Sequence, residues 1–375
     1  MSALHVSPDR SDDAYYMGRA LDLARQGRPS PNPHVGALVV NGGIIVGEGY
    51  HAAAGSDHAE VAALRAAGDR AAGGTLFVTL EPCNHFGRTP PCTDALHRAG
   101  ITRVVVGCRD PNPHVDGGGL EKLVDRGLEV TVGVREADAR RSIAPWVKFV
   151  TTGLPHVSLK LALSLDGRIA TRTGASKWVT GPDARARVHA LRADHDAVAV
   201  GIGTALSDDP RLTVRDAPGT SPTRVVFDTR LRLPLESRLV KSAGEVPLIV
   251  IASADSPAAN EEALLARGAQ VIRAPSSAEG RIDVAGALRL LAARGVVTML
   301  VEGGAELAGS FLAARLADEL HAFIAPILLG PRGRPGAVDW AGPDVPAHAP
   351  RIVDPSWEVC GDDAHVFGRI DYPES

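Results

Sequence analysis

Strand-sized apolar runs recur along this 375-residue chain, each followed by a helix-sized stretch. In the first third they are "GTLFVTL", "ITRVVVG" and "LEVTVGV", with "CTDALHRAG" and "LEKLVDRG" between them. Strands that alternate with helices build a mainly parallel sheet covered on both faces. One pair is of another kind: "HVGALVV" and "IIVGEGY" flank Asn41-Gly42-Gly43, a hairpin signal. After a polar helix, "READARRSIAPWVKFVTTG", the alternation restarts beyond Pro155 with "DAVAVGIG", "TRVVFD", "VPLIVIAS", "AQVIRA" and "VTMLVEGG". The expectation is two α/β domains, residues 1–152 and 153–375, on a chain long enough for two cores.

Composition narrows the partners. Formal net charge is −4, so no global basic field points to nucleic acid or an anionic membrane. Aromatics are 4% of residues, too few for base-stacking platforms, and an anionic substrate must be held by local arginines. No apolar run approaches the roughly 20 residues that span a bilayer. The start, "MSALHVSPDRSDDAYY", has no apolar core after a basic segment and does not read as a secretory signal. A cytoplasmic address is expected. Cys83, Cys92, Cys108 and Cys360 are too few for a disulfide scaffold, and that address keeps thiols reduced.

Two of those cysteines fall in one loop, "EPCNHFGRTPPC", between a strand and a helix. Upstream, "HAE" opens another helix. His58, Cys83 and Cys92 would give zinc one nitrogen, two sulfurs and a free fourth position, which catalytic zinc keeps and structural zinc closes. Helix N-termini favour thiolate over thiol. Glu60, two residues from a ligand, can reach a water on the metal and carry its proton to a leaving nitrogen. H-x-E with P-C and a later C is the zinc-deaminase pattern, but eight residues separate the cysteines rather than two. His85 is the rival ligand nearby and reads as a loop residue facing substrate. Cys108 and Cys360 read as buried small apolar groups. His34 and His51 read as local hydrogen-bonders.

Zinc deaminases of riboflavin biosynthesis carry a longer loop of this kind. "HAE", "EPCNHFGRTPPCTDAL" and "NPHVGALVV" together resemble the N-terminal half of the bifunctional riboflavin-biosynthesis deaminase/reductase family. The resemblance implies a cytidine-deaminase-like three-layer α/β/α domain, one zinc per chain, Glu60 as proton shuttle and Asn32 near the pyrimidine.

The remaining chain contains "LKLALSLDGRIA", "SKWVTG", "LRADHDAVAVGIGTALSDDPRLTVR" and "MLVEGGAELAGSFL". Gly303 and Gly304 let a ligand approach the backbone, and the helix start after them suits phosphate. "GIGTAL" is not a dinucleotide fingerprint, because Leu206 stands at the last glycine position. Together these segments resemble the family's reductase half, a dihydrofolate-reductase-like α/β domain. The likeness implies NADPH and a ribose-5-phosphate side chain as hydride acceptor. It also implies cofactor contacts at Ala162, Trp178, Thr204, Asp208 and Thr229, and along the Gly304–Ser310 turn and helix start (Gly304, Ala305, Glu306, Leu307, Ala308, Gly309 and Ser310). Substrate contacts would be Ser176, Arg192, Leu212, Arg215 and Glu302.

Arg192 and Arg215 are suited to bidentate phosphate binding. Glu302 ends a buried strand, where a carboxylate is costly unless it binds something. Trp178 is either a platform for a ring or a core residue. Asp208 is a cofactor contact or an ordinary turn, Asp166 a hairpin turn, and Lys160 faces substrate or solvent. The reading is a hydrolytic deamination of a phosphorylated diaminopyrimidine, then reduction of its ribosyl group. The family likeness adds a homodimer, with no nucleic-acid or membrane partner. One rival is a nucleoside or tRNA deaminase with a non-catalytic C-terminal binding module. Another is a zinc-stabilised interaction protein, which needs a closed four-ligand site.

Overall fold

The computed structural model of the chain describes residues 11–84, 90–112, 118–257, 260–330, 332 and 336–373. It divides into two compact units, Met1–Gly153 and Leu154–Ser375.

In the first unit the strands are β1 (Gly36–Asn41), β2 (Ile44–Tyr50), β3 (Thr75–Leu80), β4 (Arg103–Cys108) and β5 (Glu129–Val132). The helices are α1 (Ser11–Ala24), α2 (Ala59–Ala67), α3 (Cys92–Arg98), α4 (Gly119–Asp125) and α5 (Glu136–Thr152). The sheet order is β2-β1-β3-β4-β5. Here the expected mainly parallel sheet needs correction: β1 runs antiparallel to both β2 and β3, and β3-β4-β5 is parallel. The two-glycine turn reverses the chain into a hairpin, and β3 pairs on one side with β1 of that hairpin, antiparallel, and on the other with β4, parallel. Alternate residues of each strand face opposite sides. Ala37, Val39, Leu76, Val78, Val104 and Val106 meet apolar residues of α2, α3 and α4, and α1 and α5 cover the other face. Three layers result.

The second unit has a nine-stranded sheet, from β6 (His156–Ser164), β7 (Ala197–Gly201), β8 (Thr223–Phe227), β9 (Leu248–Ser253) and β10 (Gln270–Ala274) to β11 (Thr298–Glu302), β12 (Glu319–Ala325), β13 (Arg351–Cys360) and β14 (Asp363–Asp371). The order is β10-β9-β8-β7-β11-β6-β12-β14-β13, parallel as far as β12 and antiparallel beyond it. Its helices are α6 (Pro182–Ala193), α7 (Ile202–Asp208), α8 (Arg238–Lys241), α9 (Glu261–Ala266), α10 (Val284–Ala292) and α11 (Ala305–Ala313). Leu288, Leu291 and Phe311 pack on one face; Leu239, Val240 and Leu264 pack on the other. Near-continuous apolar strands such as "LIVIAS", buried throughout, are what two covered faces require. The β13–β14 hairpin was not anticipated: β13 is an edge strand, exposed over most of its length, so it carries no apolar alternation.

Candidate active sites

The first site lies where two helices begin. His58 is the residue before α2, with extended backbone, and its carbonyl accepts the Ala62 N–H at 3.0 Å. Cys92 is the first residue of α3. Cys83 follows β3, held there because Glu81 accepts from the Asp110 N–H at 3.2 Å and the Leu120 N–H at 3.4 Å. Helix α2 can sit this close to the sheet because β2 presents Gly49 to it. A Cβ at Gly49 would stand 2.5 Å from the Ala59 carbonyl oxygen and 2.7 Å from the Ala62 Cβ.

His58 Nδ1 is 3.5 Å from Cys83 Sγ and 3.3 Å from Cys92 Sγ. The edge of a zinc tetrahedron between a nitrogen and a sulfur ligand is about 3.6 Å, from bonds of about 2.1 and 2.3 Å. The three atoms therefore fit one zinc ion. Hydrogen bonding with Cys92 draws the Cys83 thiol down to about 4, and the same contact pushes Cys92 up. Two adjacent thiols do not both ionise without a cation between them, and zinc is the cation this donor set accepts. His58 is pulled up by its hydrogen bond to Cys83.

Glu60 is 4% exposed, and burial pushes its carboxyl up to about 6. It lies on the first turn of α2, beside both cysteines and His58. Asn32 donates to His51 Nε2 at 3.0 Å, and His51 Nδ1 donates to the Asp57 carbonyl at 3.0 Å. The His51 ring stands edge-on to His58 with centroids 5.4 Å apart. Asn32 is thus tied to the metal-ligand cluster with its amide nitrogen committed and its carbonyl oxygen available. His85, the rival ligand of the sequence, lies outside the described residues.

The second site is a cleft of about 1150 Å³ in the second unit. It opens at the carboxyl ends of β6, β7, β8 and β11, where the chain leaves β7 in one direction and returns through β11. Open parallel sheets bind ligands at such a switch point. Ala162, Ser176, Trp178, Thr204, Asp208, Leu212, Thr229 and Arg215 all line it, as do Glu302 and the turn Gly304–Leu307 with Ser310. Ala308 and Gly309 do not. They are buried, and Gly309 sits so close to the Asp339 carbonyl that a Cβ would overlap it. On a helix of 3.6 residues per turn Ala308 falls opposite Glu306 and Ser310, while Gly309 is covered by the Asp339 backbone.

Several side chains have partners that sequence reasoning did not foresee. Arg192 gives Glu302 a two-pronged ion pair, Nε to Oε1 at 2.6 Å and Nη2 to Oε2 at 2.8 Å. Its Nη1 donates to the Thr213 carbonyl at 3.1 Å. Arg192 therefore does not present the free fork expected for a phosphate. It neutralises Glu302, which is the binding that a buried carboxylate needs. Burial alone would raise the Glu302 carboxyl, but Arg192 outweighs it and holds the group below its ordinary value. The Arg215 side chain donates to Thr213 Oγ1 at 2.7 Å and to the Thr213 carbonyl at 3.4 Å, with Asp216 and Arg192 acting on it electrostatically. It lines the cleft with no salt bridge among the described residues. Trp178 is 70% exposed, not a core residue, and the Arg185 guanidinium stacks 4.6 Å from its ring. Asp208 accepts from Ser176 at 3.3 Å and Ser207 at 3.1 Å.

Lys160 faces the cleft and not solvent; burial lowers its ammonium pKa, opposed by Glu302. Arg211, Arg232, Arg238 and Arg281 also line the cleft and were not singled out in the sequence, where each is one of many arginines. Asp166 braces a turn, as expected, accepting from Ser164, Leu329 and Gly330.

A family model for the cytidine and deoxycytidylate deaminase zinc-binding region matches residues 10–108, and one for the RibD C-terminal domain matches residues 155–366. The chain is 45% identical over 324 residues to the riboflavin biosynthesis protein RibD of Aquifex aeolicus, covering 86% of this chain and 89% of that one. It is 42% identical to the Escherichia coli RibD, covering 91% and 94%. Among solved structures, RibD of Acinetobacter baumannii superposes with a TM-score of 0.83 at 36% identity, over 96% of this chain and 99% of that one. A diaminohydroxyphosphoribosylaminopyrimidine deaminase/5-amino-6-(5-phosphoribosylamino)uracil reductase from Thermotoga maritima gives 0.84 at 36%, over 96% and 99%. The two halves have the fold classes expected of them, cytidine-deaminase-like first and dihydrofolate-reductase-like second. A zinc-binding deaminase region at one end and a RibD reductase domain at the other, matched together along most of the length, place this chain in the RibD family of riboflavin biosynthesis proteins.

Proposed function

We propose that this chain catalyses two successive steps of riboflavin biosynthesis. The first unit hydrolyses the amine from 2,5-diamino-6-(5-phosphoribosylamino)pyrimidin-4(3H)-one; the second reduces the ribosyl group of the resulting uracil to ribityl with NADPH. The observation that carries the reading is the buried carboxylate of Glu60 set against a three-ligand metal cluster with no fourth protein ligand among the described residues.

His58, Cys83 and Cys92 would hold a zinc ion. Bound there, zinc acts as a Lewis acid that lowers the pKa of a water towards about 7. Glu60 takes the proton that this water loses and gives it to the departing amine nitrogen, so that water adds as ammonia leaves. Burial raises the Glu60 carboxyl, in the direction that suits a group which both accepts and releases a proton. The Asn32 carbonyl oxygen accepts from a pyrimidine N–H and aligns the ring, with His51 fixing the amide.

In the second unit NADPH supplies hydride for C1′ of the ribosyl group, and a proton goes to the ring oxygen as the sugar opens. The Gly303–Gly304 turn admits a phosphate to the start of α11, and Trp178 gives a flat face to a ring. Arg211, Arg232, Arg238 and Arg281 make the cleft cationic enough for a cofactor and a substrate that both carry phosphate. Arg215 binds the ribose phosphate, and Ser176 and Leu212 contact the sugar. Arg192 and Glu302 form a neutral, hydrogen-bonded wall that positions it.

The substrate is a small phosphorylated pyrimidine rather than a nucleic acid, and the protein acts in the cytoplasm as a homodimer. Among the described residues no helix is long and apolar enough to cross a membrane. The test is one coupled assay with the diaminopyrimidine phosphate that follows ammonia, NADPH absorbance and zinc content together. Ammonia without NADPH oxidation would favour the deaminase-plus-binding-module rival.

A further inference from the structure

Away from both sites, a file of polar side chains crosses the end of the second sheet. Strands β13 and β14 pair with Glu358 opposite His365 and Cys360 opposite Asp363. Residues two apart on a strand point the same way, so Glu358, Cys360 and His365 share one face of the hairpin. Their donor atoms all lie within 4.8 Å of one another. Glu358 Oε2 is 3.2 Å from His365 Nδ1. Behind them His365 Nε2 lies 3.1 Å from His321 Nδ1, and His321 Nε2 lies 3.5 Å from Glu319 Oε2. His365 is fully buried, stacked on Phe323 at 4.1 Å and Phe367 at 4.7 Å, so its ring cannot turn away.

The donors in this file do not balance. The two hydrogen bonds, carboxylate to ring and ring to ring, use both ring hydrogens and leave none on His321 Nε2 for the 3.5 Å approach to Glu319. Two neutral imidazoles carry one N–H each. A cation on His365 Nδ1 removes the shortfall, because His365 Nε2–H then donates to His321 and His321 Nε2–H donates to Glu319. That is the outer-shell arrangement that orients metal-bound histidines. The 3.2 Å between Glu358 and His365 compares with about 3.4 Å for the oxygen–nitrogen edge of a zinc tetrahedron. A surplus proton on the histidine pair would also balance the file, but it gives Cys360 no part.

We propose that Glu358, Cys360 and His365 form a second metal site for a divalent cation of the zinc class, with His321 and Glu319 orienting the imidazole. Asp183 and Asp363 add negative charge near the sulfur. Arg187, with Nε 3.5 Å from Glu358 Oε2, competes with the cation and swings aside when it binds. Cys360 is half-buried and packs on the apolar cluster of Val188, Leu191 and Phe323, as expected of a small apolar group, and it also has two ligand-type neighbours. The ion would pin the free edge of the sheet.

The test uses the full chain, stripped of metal, loaded with Zn²⁺ alone and counted by elemental analysis after dialysis. The wild type should hold two equivalents per chain. Cys360→Ser should hold one, and so should Cys83→Ser, each losing its own ion. In the Cys83→Ser protein, Zn²⁺ should slow alkylation of Cys360 at least tenfold, and Arg187→Ala should tighten binding at the hairpin. A wild type with one equivalent that Cys83→Ser reduces to none overturns the hairpin site and leaves the deaminase reading intact. Two equivalents retained in Cys360→Ser, or unaltered alkylation, also overturn it.

Discussion

The two sites differ in how many residues make them. The metal cluster in the first unit draws on three short stretches and places its donors within one coordination shell. The reductase cleft takes its walls from β6, β7, β8, β11 and the loops between them, over a volume of about 1150 Å³. An ion a few ångströms across must be gripped by specific atoms, whereas a dinucleotide spreads its binding over many weak contacts. Loss of one residue should therefore silence the first site and only dim the second.

The sharpest break between them is metal removal. Cys83→Ala, or chelation of the wild type, should abolish ammonia release while NADPH oxidation with the deaminated substrate stays within about twofold. Loss of both activities would mean that the halves are not independent. Next comes Glu60→Gln, which should keep its zinc and lose roughly 10²–10⁴-fold in the rate of ammonia release. Retained release would remove the carboxylate from the chemistry.

In the cleft, Arg192→Leu leaves Glu302 buried without its partner. It should cost the second unit about 3–5 kcal/mol in denaturant unfolding, far more than Arg215→Ala costs in stability. Arg215→Ala should instead raise the substrate KM about 10- to 100-fold, the worth of about 1.5–3 kcal/mol for hydrogen bonds to a charged phosphate. Equal stability losses in the two variants would refute this division of roles. The smallest effect is pH-dependent. The Glu302 carboxyl is held low in the folded protein, so its ion pair contributes fully above the unfolded value of about 4.3 and fades as pH falls through the folded one. Stability of the wild type should therefore drop more steeply with acid than that of Glu302→Gln, and parallel curves would contradict it.

Legibility in the sequence followed the same divide. His58, Glu60, Cys83 and Cys92 stand out because zinc chemistry fixes the residue types and the H-x-E and P-C contexts, even with a longer loop between the cysteines. Strands such as "LIVIAS" were legible because burial on both faces leaves only apolar residues. The antiparallel seat of β1 beside β3 was not, because strand order is decided by packing. The Arg192–Glu302 pair was not either, since the partners are 110 residues apart and each alone looks like a ligand contact. Ala308 and Gly309 show the limit of carrying a motif over as a block: helix geometry turns two of its seven residues into the core. The β13–β14 hairpin escaped notice because Trp357 and Val359 are exposed at 70% and 85%, contrary to what apolar residues ordinarily signal.

Gly49 contacts no ligand, yet it sets the distance at which helix α2 rests on the sheet. A single methyl group there would overlap the Ala59 carbonyl and the Ala63 N–H of the helix, so the turn that carries one imidazole and one carboxylate could no longer rest where the two sulfurs meet it.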